Sequence, residues 1–234
     1  MNLIIKEQID TCNFKVIIGD SNSLPDSLNN DEIALFNAFL ETEDDFKIIS
    51  DLSSTTYLIK SNSDKEKIRI AGAKVRSNLD RKVEEIAVHA NEIFLYDFIE
   101  GLLLANYQFI RYFKSPEDKE NTLHSIFVAQ ADKTKLDELN SIAKAVYWAR
   151  DMVNEPVSFL TAEQLAEEIR LLGEDAKMNV NILEKSQIEA LKMGGLLSVN
   201  KGSIDPPTFT IVEYKSPEAT NKNPDCFSWK RCCL

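Results

Sequence analysis

The sequence has few of the residues that build phosphate-binding loops and metal sites. It contains 7 glycines and 2 histidines among 234 residues, and no glycines have the spacing of a dinucleotide fingerprint or a P-loop. The two histidines, His89 and His124, lie at the end and the start of predicted strands. There we expect a surface or hydrogen-bonded structural histidine rather than a ligand or a base. Composition therefore gives no support to a nucleotide cradle or a histidine-based centre.

Positive charge is also in deficit. The chain has 27 Lys and Arg against 38 Asp and Glu, which gives a net charge of −11 and a pI near 4.8. Such a surface repels phosphate backbones, so the sequence predicts no nucleic-acid partner. The aromatic and basic residues of 107–114 are expected to pack rather than to stack on bases, and the acidic run 41–45 to form a solvated loop.

Long apolar runs are missing, and cysteines are few. No stretch approaches the roughly 20 apolar residues of a membrane helix, and the first residues show no secretory signal. Cys12 stands alone, and the other three cysteines, Cys226, Cys232 and Cys233, lack the paired spacing of a zinc site. A prenylation motif needs cysteine four residues from the end, where Arg231 stands. The pattern is not a disulfide framework, which favours a cytoplasmic location without membrane attachment.

What the first part of the chain does contain is an alternation of strand and helix patterns. Short β-branched and apolar runs alternate with segments of helical apolar spacing, which is typical of an α/β fold. We expect an N-terminal mixed α/β layer domain over residues 1–132. Its predicted strands are 12–18, 55–60, 83–89 and 124–130. Its predicted helices are one capped at Asn30 or Asp31 that runs to about residue 43, and the segments 66–79 and 92–105. The apolar face of the last helix is assigned to Ile93, Phe94, Phe98, Leu102 and Ala105.

A long helix leads from this domain into a second region. Apolar spacing predicts helix over about 134–153, within a linker assigned to residues 133–156, and Pro156 ends it. Thr161 and Gln164 have the form of a capping box at the next helix. The remaining predicted elements are strands 180–183 and 208–214, a short helix 186–191, a turn at 193–195 and a turn at 201–203. Residues 157–224 are thus the expected start of another α/β domain, with two or three strands, fewer than a parallel sheet covered on both faces needs.

A series of short motifs lies between Ala149 and Tyr214: 149–156, Thr161 with Leu165-Ala166, Ile188, 193–197, Val199, Gly202-Ser203, Pro206-Pro207 and Tyr214 itself. In order and spacing they resemble the opening of the catalytic domain of the leucyl aminopeptidase (cytosol aminopeptidase) family. Upstream motifs resemble the N-terminal α/β domain of the family less closely; they are Ile68-Arg69, 71–73, 100–105, Tyr107 and Phe109. One departure is residues 58–63, which replace a glycine-rich strand end.

The resemblance implies a two-domain metal-dependent peptidase. Its C-terminal domain is expected to be a three-layer α/β fold with two divalent ions, zinc, manganese or magnesium. Such ions activate a water molecule and polarise the scissile carbonyl beside a free N-terminus. The implied substrates are peptides with free N-termini, and the implied assembly is a homo-oligomer, typically a hexamer.

The metal-binding segments of the family are absent from this sequence. They contain Gly-Lys-Gly, Asp-Thr-Gly-Gly and Asn-Thr-Asp-Ala-Glu-Gly-Arg, and none occurs here. We therefore predict no catalytic, cofactor-binding or metal-binding residue in this chain. The expectation is a truncated family member that is inactive alone; the alternative is a non-catalytic binding or assembly module built on the N-terminal domain.

In the family, the segment after the position of Tyr214 leads into a hydrophobic strand and then Gly-Lys-Gly. Residues 225–234 of this chain do not resemble such a strand. When the codons of Trp229 and Lys230 are read one nucleotide later, they must encode a glycine. With one choice of synonymous codons for residues 225–234, the shifted frame encodes Gly-Lys-Gly. A frameshift near Pro224 explains this tail. Intron read-through and a natural short isoform are the alternatives.

Overall fold

The computed structural model describes residues 4–6, 12–21, 23–61, 64–129, 131–216, 218 and 220. The chain divides into two compact units, Met1–Arg150 and Asp151–Leu234, each with its own sheet. The proposed tail 225–234, with Cys226, Cys232 and Cys233, lies outside the described residues, as do two residues of the segment 58–63.

The first unit is built on a six-stranded mixed sheet. Its strand order is β1-β6-β5-β2-β4-β3, in which only the β3–β4 pair is antiparallel. The elements in chain order are β1 Ile4–Lys6, β2 Phe14–Gly19, α1 Asn30–Leu40, β3 Phe46–Ser50, β4 Thr55–Lys60, α2 Lys65–Asn78, β5 Glu85–Ala90, α3 Glu92–Ala105, β6 Ser125–Val128 and α4 Lys133–Asn154.

The two faces of this sheet have separate cores. Alternate side chains of a strand point to opposite faces, and β2 shows this directly. Val16 and Ile18 pack in the large cluster that includes α2, α3 and the first half of α4, whereas Ile17 packs with Phe36 and Phe39 of α1. Helices therefore cover β2 and β4 on both sides, which explains their nearly continuous apolar sequences.

Helices α2 and α3 approach each other closely through two glycines. A Cβ atom built on Gly101 would lie 1.9 Å from the carbonyl oxygen of Arg69, and one on Gly72 would lie 2.3 Å from that of Phe98. No side chain fits at either position, so backbone touches backbone. Arg69 adds ion pairs to Glu100 (2.6 Å) and Asp97 (2.9 Å) across the same helix pair.

The second unit is smaller. Its elements are α5 Ala162–Asp175, β7 Asn179–Leu183, α6 Lys185–Ala190, α7 Gly194–Asn200 and β8 Phe209–Glu213. Strands β7 and β8 pair antiparallel in a two-stranded sheet.

Most predicted elements are confirmed within two or three residues, but some local predictions are wrong. Strands β1 and β3 and helix α7 were not predicted; Gly194 and Gly195 start α7 instead of forming a turn. Helix α1 is capped by Asn29, in a reciprocal capping box with Glu32. The buried residues of α3 centre on Leu95, Phe98, Ile99, Leu102 and Leu103, while Ile93 is 77% exposed.

Of the two hydrogen bonds in the capping box predicted at α5, only one forms. The Thr161 hydroxyl accepts a hydrogen bond from the Gln164 backbone N–H at 3.3 Å. The side chain of Gln164 donates to Glu168 at 3.1 Å instead of reaching back to Thr161. A glutamate one turn further on offers a charged acceptor, which is the stronger partner for an amide donor.

Candidate functional site

Candidate metal ligands do not converge in the described part of the chain. Within those residues, no group of three or more His, Cys, Asp or Glu side chains could hold a metal ion. Two divalent ions need several oxygen or nitrogen ligands together. The described residues therefore do not fit a two-metal centre, and no catalytic step can be derived from them.

The two histidines occupy different environments. His89 is 2% exposed, and its Nδ1 lies 2.9 Å from the Ser27 hydroxyl. His124 is about half exposed, with Nδ1 2.9 Å from the Ser125 hydroxyl and Nε2 3.7 Å from Glu84. Each imidazole therefore contacts a serine hydroxyl through its Nδ1.

The C-terminal half of α4 carries the start of the family-like motif and holds the end of α3. The Tyr147 hydroxyl donates to the Leu103 carbonyl, and the Arg150 guanidinium donates to the Leu104 carbonyl at 2.6 Å. Cations near a helix C-terminus complement its unpaired carbonyls. Burial raises the pKa of Tyr147 to about 12, against the opposing effect of Arg150.

A second cation, Arg76, lies at the same end of α3 and is buried. Arg76 is 5% exposed and donates to the Asn106 side chain at 2.6 Å and to the Leu79 carbonyl at 3.2 Å. Burial lowers the pKa of Arg76 from its usual value, and arginine side chains keep their charge in proteins. Arg76, Tyr147 and Arg150 thus hold the C-terminal end of α3 through Asn106 and two backbone carbonyls.

In the second unit, the family-like motif Pro206-Pro207 lines a shallow recess of about 510 Å³. Its charged lining consists of Glu163, Glu184, Glu189 and Lys185. The Thr208 hydroxyl donates to the Ala162 carbonyl at 3.1 Å, which joins the start of β8 to the start of α5. The motif Gly202-Ser203 forms the turn before β8, with the Asp205 N–H donating to Ser203 Oγ at 3.2 Å.

Comparison with known proteins identifies these motifs. Residues 147–227 match the family model described as "Cytosol aminopeptidase family, catalytic domain". A probable cytosol aminopeptidase of Chloroherpeton thalassium is 36% identical over 159 residues. The motifs of residues 147–227 are therefore those of the cytosol aminopeptidase family.

The similarity to leucyl aminopeptidases extends beyond the segment 147–227. A probable cytosol aminopeptidase of Chlorobaculum parvum is 53% identical over 74 residues, and one of Clostridium perfringens is 29% identical over 198 residues. The three alignments cover 63%, 32% and 77% of this chain and 31%, 14% and 39% of the relatives. The chain therefore spans about a third of the length of its curated relatives.

Solved structures show the same fold. A mutant of tomato leucine aminopeptidase superimposes with a TM-score of 0.73 at 19% identity, over 94% of this chain and 52% of that one. The bottromycin maturation enzyme BotP gives 0.69 at 18% identity, over 88% and 46%. The mixed α/β fold class predicted from the sequence is confirmed. None of the helices in the described ranges is long and apolar enough to cross a membrane.

Proposed function

We propose that this chain is the N-terminal part of a metal-dependent aminopeptidase that removes N-terminal amino acids from peptides with free N-termini. The match of residues 147–227 to the family's catalytic domain carries the proposal. The complete enzyme would hold two divalent ions, zinc, manganese or magnesium, and would assemble as a homo-oligomer, with a hexamer as the family expectation. It would act in the cytoplasm, without nucleic-acid or membrane partners.

The chain as it stands is proposed to be inactive. Two-metal hydrolysis needs ligands that hold both ions at one place, and the described residues bring no such set together. We keep the division into an N-terminal domain 1–132, a linker helix 133–156 and a catalytic-domain segment 157–224 as part of this proposal.

The test compares this chain with a hybrid enzyme. In the hybrid, residues 1–214 are joined to the matching C-terminal part of the Chloroherpeton thalassium relative. With leucine p-nitroanilide and added zinc, manganese or magnesium, we expect hydrolysis by the hybrid and none above the blank by the chain alone. Hydrolysis by the chain alone would overturn the inactive assignment, and a folded but inactive hybrid would count against the aminopeptidase assignment.

The proposed out-of-frame tail has its own test, which is the nucleotide sequence beyond codon 214. Gly-Lys-Gly and the later acidic motifs in the shifted frame would support the frameshift. A shifted frame without these codons would exclude it.

A non-catalytic assembly module is the second candidate. It is favoured by the first unit, whose sheet and two apolar cores are complete in themselves among the described residues. The expected result is co-purification of tagged residues 1–154 with a full-length enzyme of the family, and size-exclusion profiles that remain separate would exclude it.

A further inference from the structure

The carboxyl ends of β2, β5 and β6 lie side by side in the sheet of the first unit. From β2 the chain continues into α1, which packs on one face of the sheet, and from β5 into α3, which packs on the other. Neighbouring parallel strands that lead to opposite faces leave a crevice between their following loops. Open α/β sheets bind ligands at such topological switch points.

A cavity of about 600 Å³ occupies this crevice. Its lining comes from the loops after all three strands, and its volume is within the range of small-molecule pockets. Three alanines, Ala90, Ala129 and Ala131, form small apolar walls, and three carboxylates, Asp26, Glu92 and Asp132, supply the charged lining.

Hydrogen bonds between side chains hold the cavity loops in place. Ser27, on the loop after β2, contacts the buried His89 at the end of β5. The Asn91 amide donates to the Ser23 hydroxyl, which joins the same two loops a second time. The Ser61 hydroxyl donates to Asp20 at 2.7 Å beside them. The site is therefore organised before any ligand arrives.

The charge of the lining decides what kind of ligand fits. Glu92 is neutralised by Lys135 at 2.7 Å, whereas Asp132 accepts from the Thr134 N–H at 2.8 Å and so compensates the positive end of α4. Together with Asp26 the cavity keeps an excess of negative charge. An entering phosphate or carboxylate would meet these carboxylates at short range, whereas an ammonium group would be attracted.

We propose that this cavity binds a small molecule with a protonated primary amine and a short apolar body. The amine would lie between Asp26 and Asp132, and the apolar body against the alanine walls. This site belongs to the first unit, and the proposal does not depend on the aminopeptidase assignment.

The test uses the whole chain and three probes of defined charge. L-Leucinamide carries an amine and no carboxylate, N-acetyl-L-leucine carries the reverse, and adenosine monophosphate tests a nucleotide anion. Binding is followed by amide chemical shifts in two-dimensional NMR spectra. We expect only L-leucinamide to shift the amides of Ser27, Asn91 and Ala131.

Matched variants separate this site from general charge attraction. Asp26→Asn and Asp132→Asn should each weaken L-leucinamide binding about tenfold, and asparagine at position 132 keeps an oxygen that can cap α4. Glu163→Gln, in the recess of the second unit, changes the net charge equally and should leave binding unchanged. Equal weakening by Glu163→Gln, tighter binding of either anionic probe, or no shift with L-leucinamide at tens of millimolar would each overturn the proposal. Should one aspartate variant fail to fold, the other still decides.

Discussion

The strands β2 and β8 have similar apolar sequences but very different surroundings. Val16, Ile17 and Ile18 of β2 are completely buried, because helices cover both faces and strands flank both edges. In β8, Ile211 and Val212 remain 44% and 47% exposed, with β7 as the one neighbouring strand in the described ranges. An apolar β-strand sequence therefore indicates what a strand can bury, while the number of neighbouring elements decides what it does bury.

The same difference applies to the two units as wholes. The large apolar cluster of the first unit joins strands and three helices, whereas every described residue of β8 is exposed or only half-buried. Burial of apolar surface is the main favourable contribution to folding. We expect the first unit to unfold at the higher temperature, and the following substitutions test that expectation.

The largest expected effect is at Phe98 of α3, which is fully buried. Phe98→Ala should lower the free energy of unfolding of the first unit by about 4 kcal/mol, because it removes a large side chain and leaves a cavity. The matched change Phe209→Ala, at a 37% exposed ring in β8, should cost about 1 kcal/mol. Urea unfolding followed by circular dichroism measures both, and equal losses would contradict the comparison.

A smaller loss is expected at Gly101. Gly101→Ala should destabilise the first unit by about 2–3 kcal/mol, because the new methyl group must push α2 and α3 apart. Gly202→Ala is the control, since nothing lies within 4 Å of a Cβ atom at that position. Thermal melts of the two variants should differ, and a Gly101→Ala melt like that of the unchanged protein would show that the helix pair can separate without cost.

The buried phenol of Tyr147 predicts a loss of stability in alkali. Its pKa is raised by burial to about 12 in the folded chain, against about 10 in unfolded chains. The stabilising contribution is therefore complete below pH 10 and is lost as the pH rises towards 12.

Ultraviolet titration of phenolate absorbance should show one late-titrating tyrosine that disappears in Tyr147→Phe. The phenylalanine variant should also lose less stability than the unchanged protein between pH 10 and 12. A titration in which Tyr147→Phe removes an ordinary phenol near pH 10 would show that the ring is accessible to solvent.

The smallest expected effect is at the cap of α5 in the second unit. Thr161→Ala removes the acceptor for the Gln164 N–H and should cost about 1 kcal/mol. If the two units unfold separately, differential scanning calorimetry should show a shift of the lower transition alone. Asn29→Ala, at the cap of α1, should shift the upper one, and movement of both transitions by either variant would show that the units unfold together.

Local sequence patterns predicted most of the elements because each depends on nearby residues. Helix α3 was placed at its observed bounds, 92–105, and β4 at 55–60, where apolar spacing and β-branched residues agree. Strand β3 was missed, since only two of its five residues are even half-buried and its sequence has no long apolar run. The buried face of α3 was predicted in part: Phe98 and Leu102 are buried and Phe94 packs against the core, whereas Ile93 is exposed.

The candidate ligand cavity could not be predicted from the sequence at all. Asp26, Asn91 and Asp132 are far apart along the chain, and each resembles an ordinary turn or capping residue. They meet because β2, β5 and β6 are neighbours in the sheet, which is a property of topology rather than of any local pattern. The family motifs, by contrast, were recognisable from the sequence because they are contiguous.

The pairing of β1 with β6 constrains the order of folding. Ile4 is the partner of Ser125, so the first strand of the chain pairs with the last strand of its sheet. During synthesis, residues 4–6 cannot pair in the sheet until β6 has left the ribosome. Pairing between residues so distant in sequence slows folding. Until β1 pairs, the edge of β6 is exposed and can pair with other chains. The rate at which this protein is synthesised therefore becomes part of how reliably it folds.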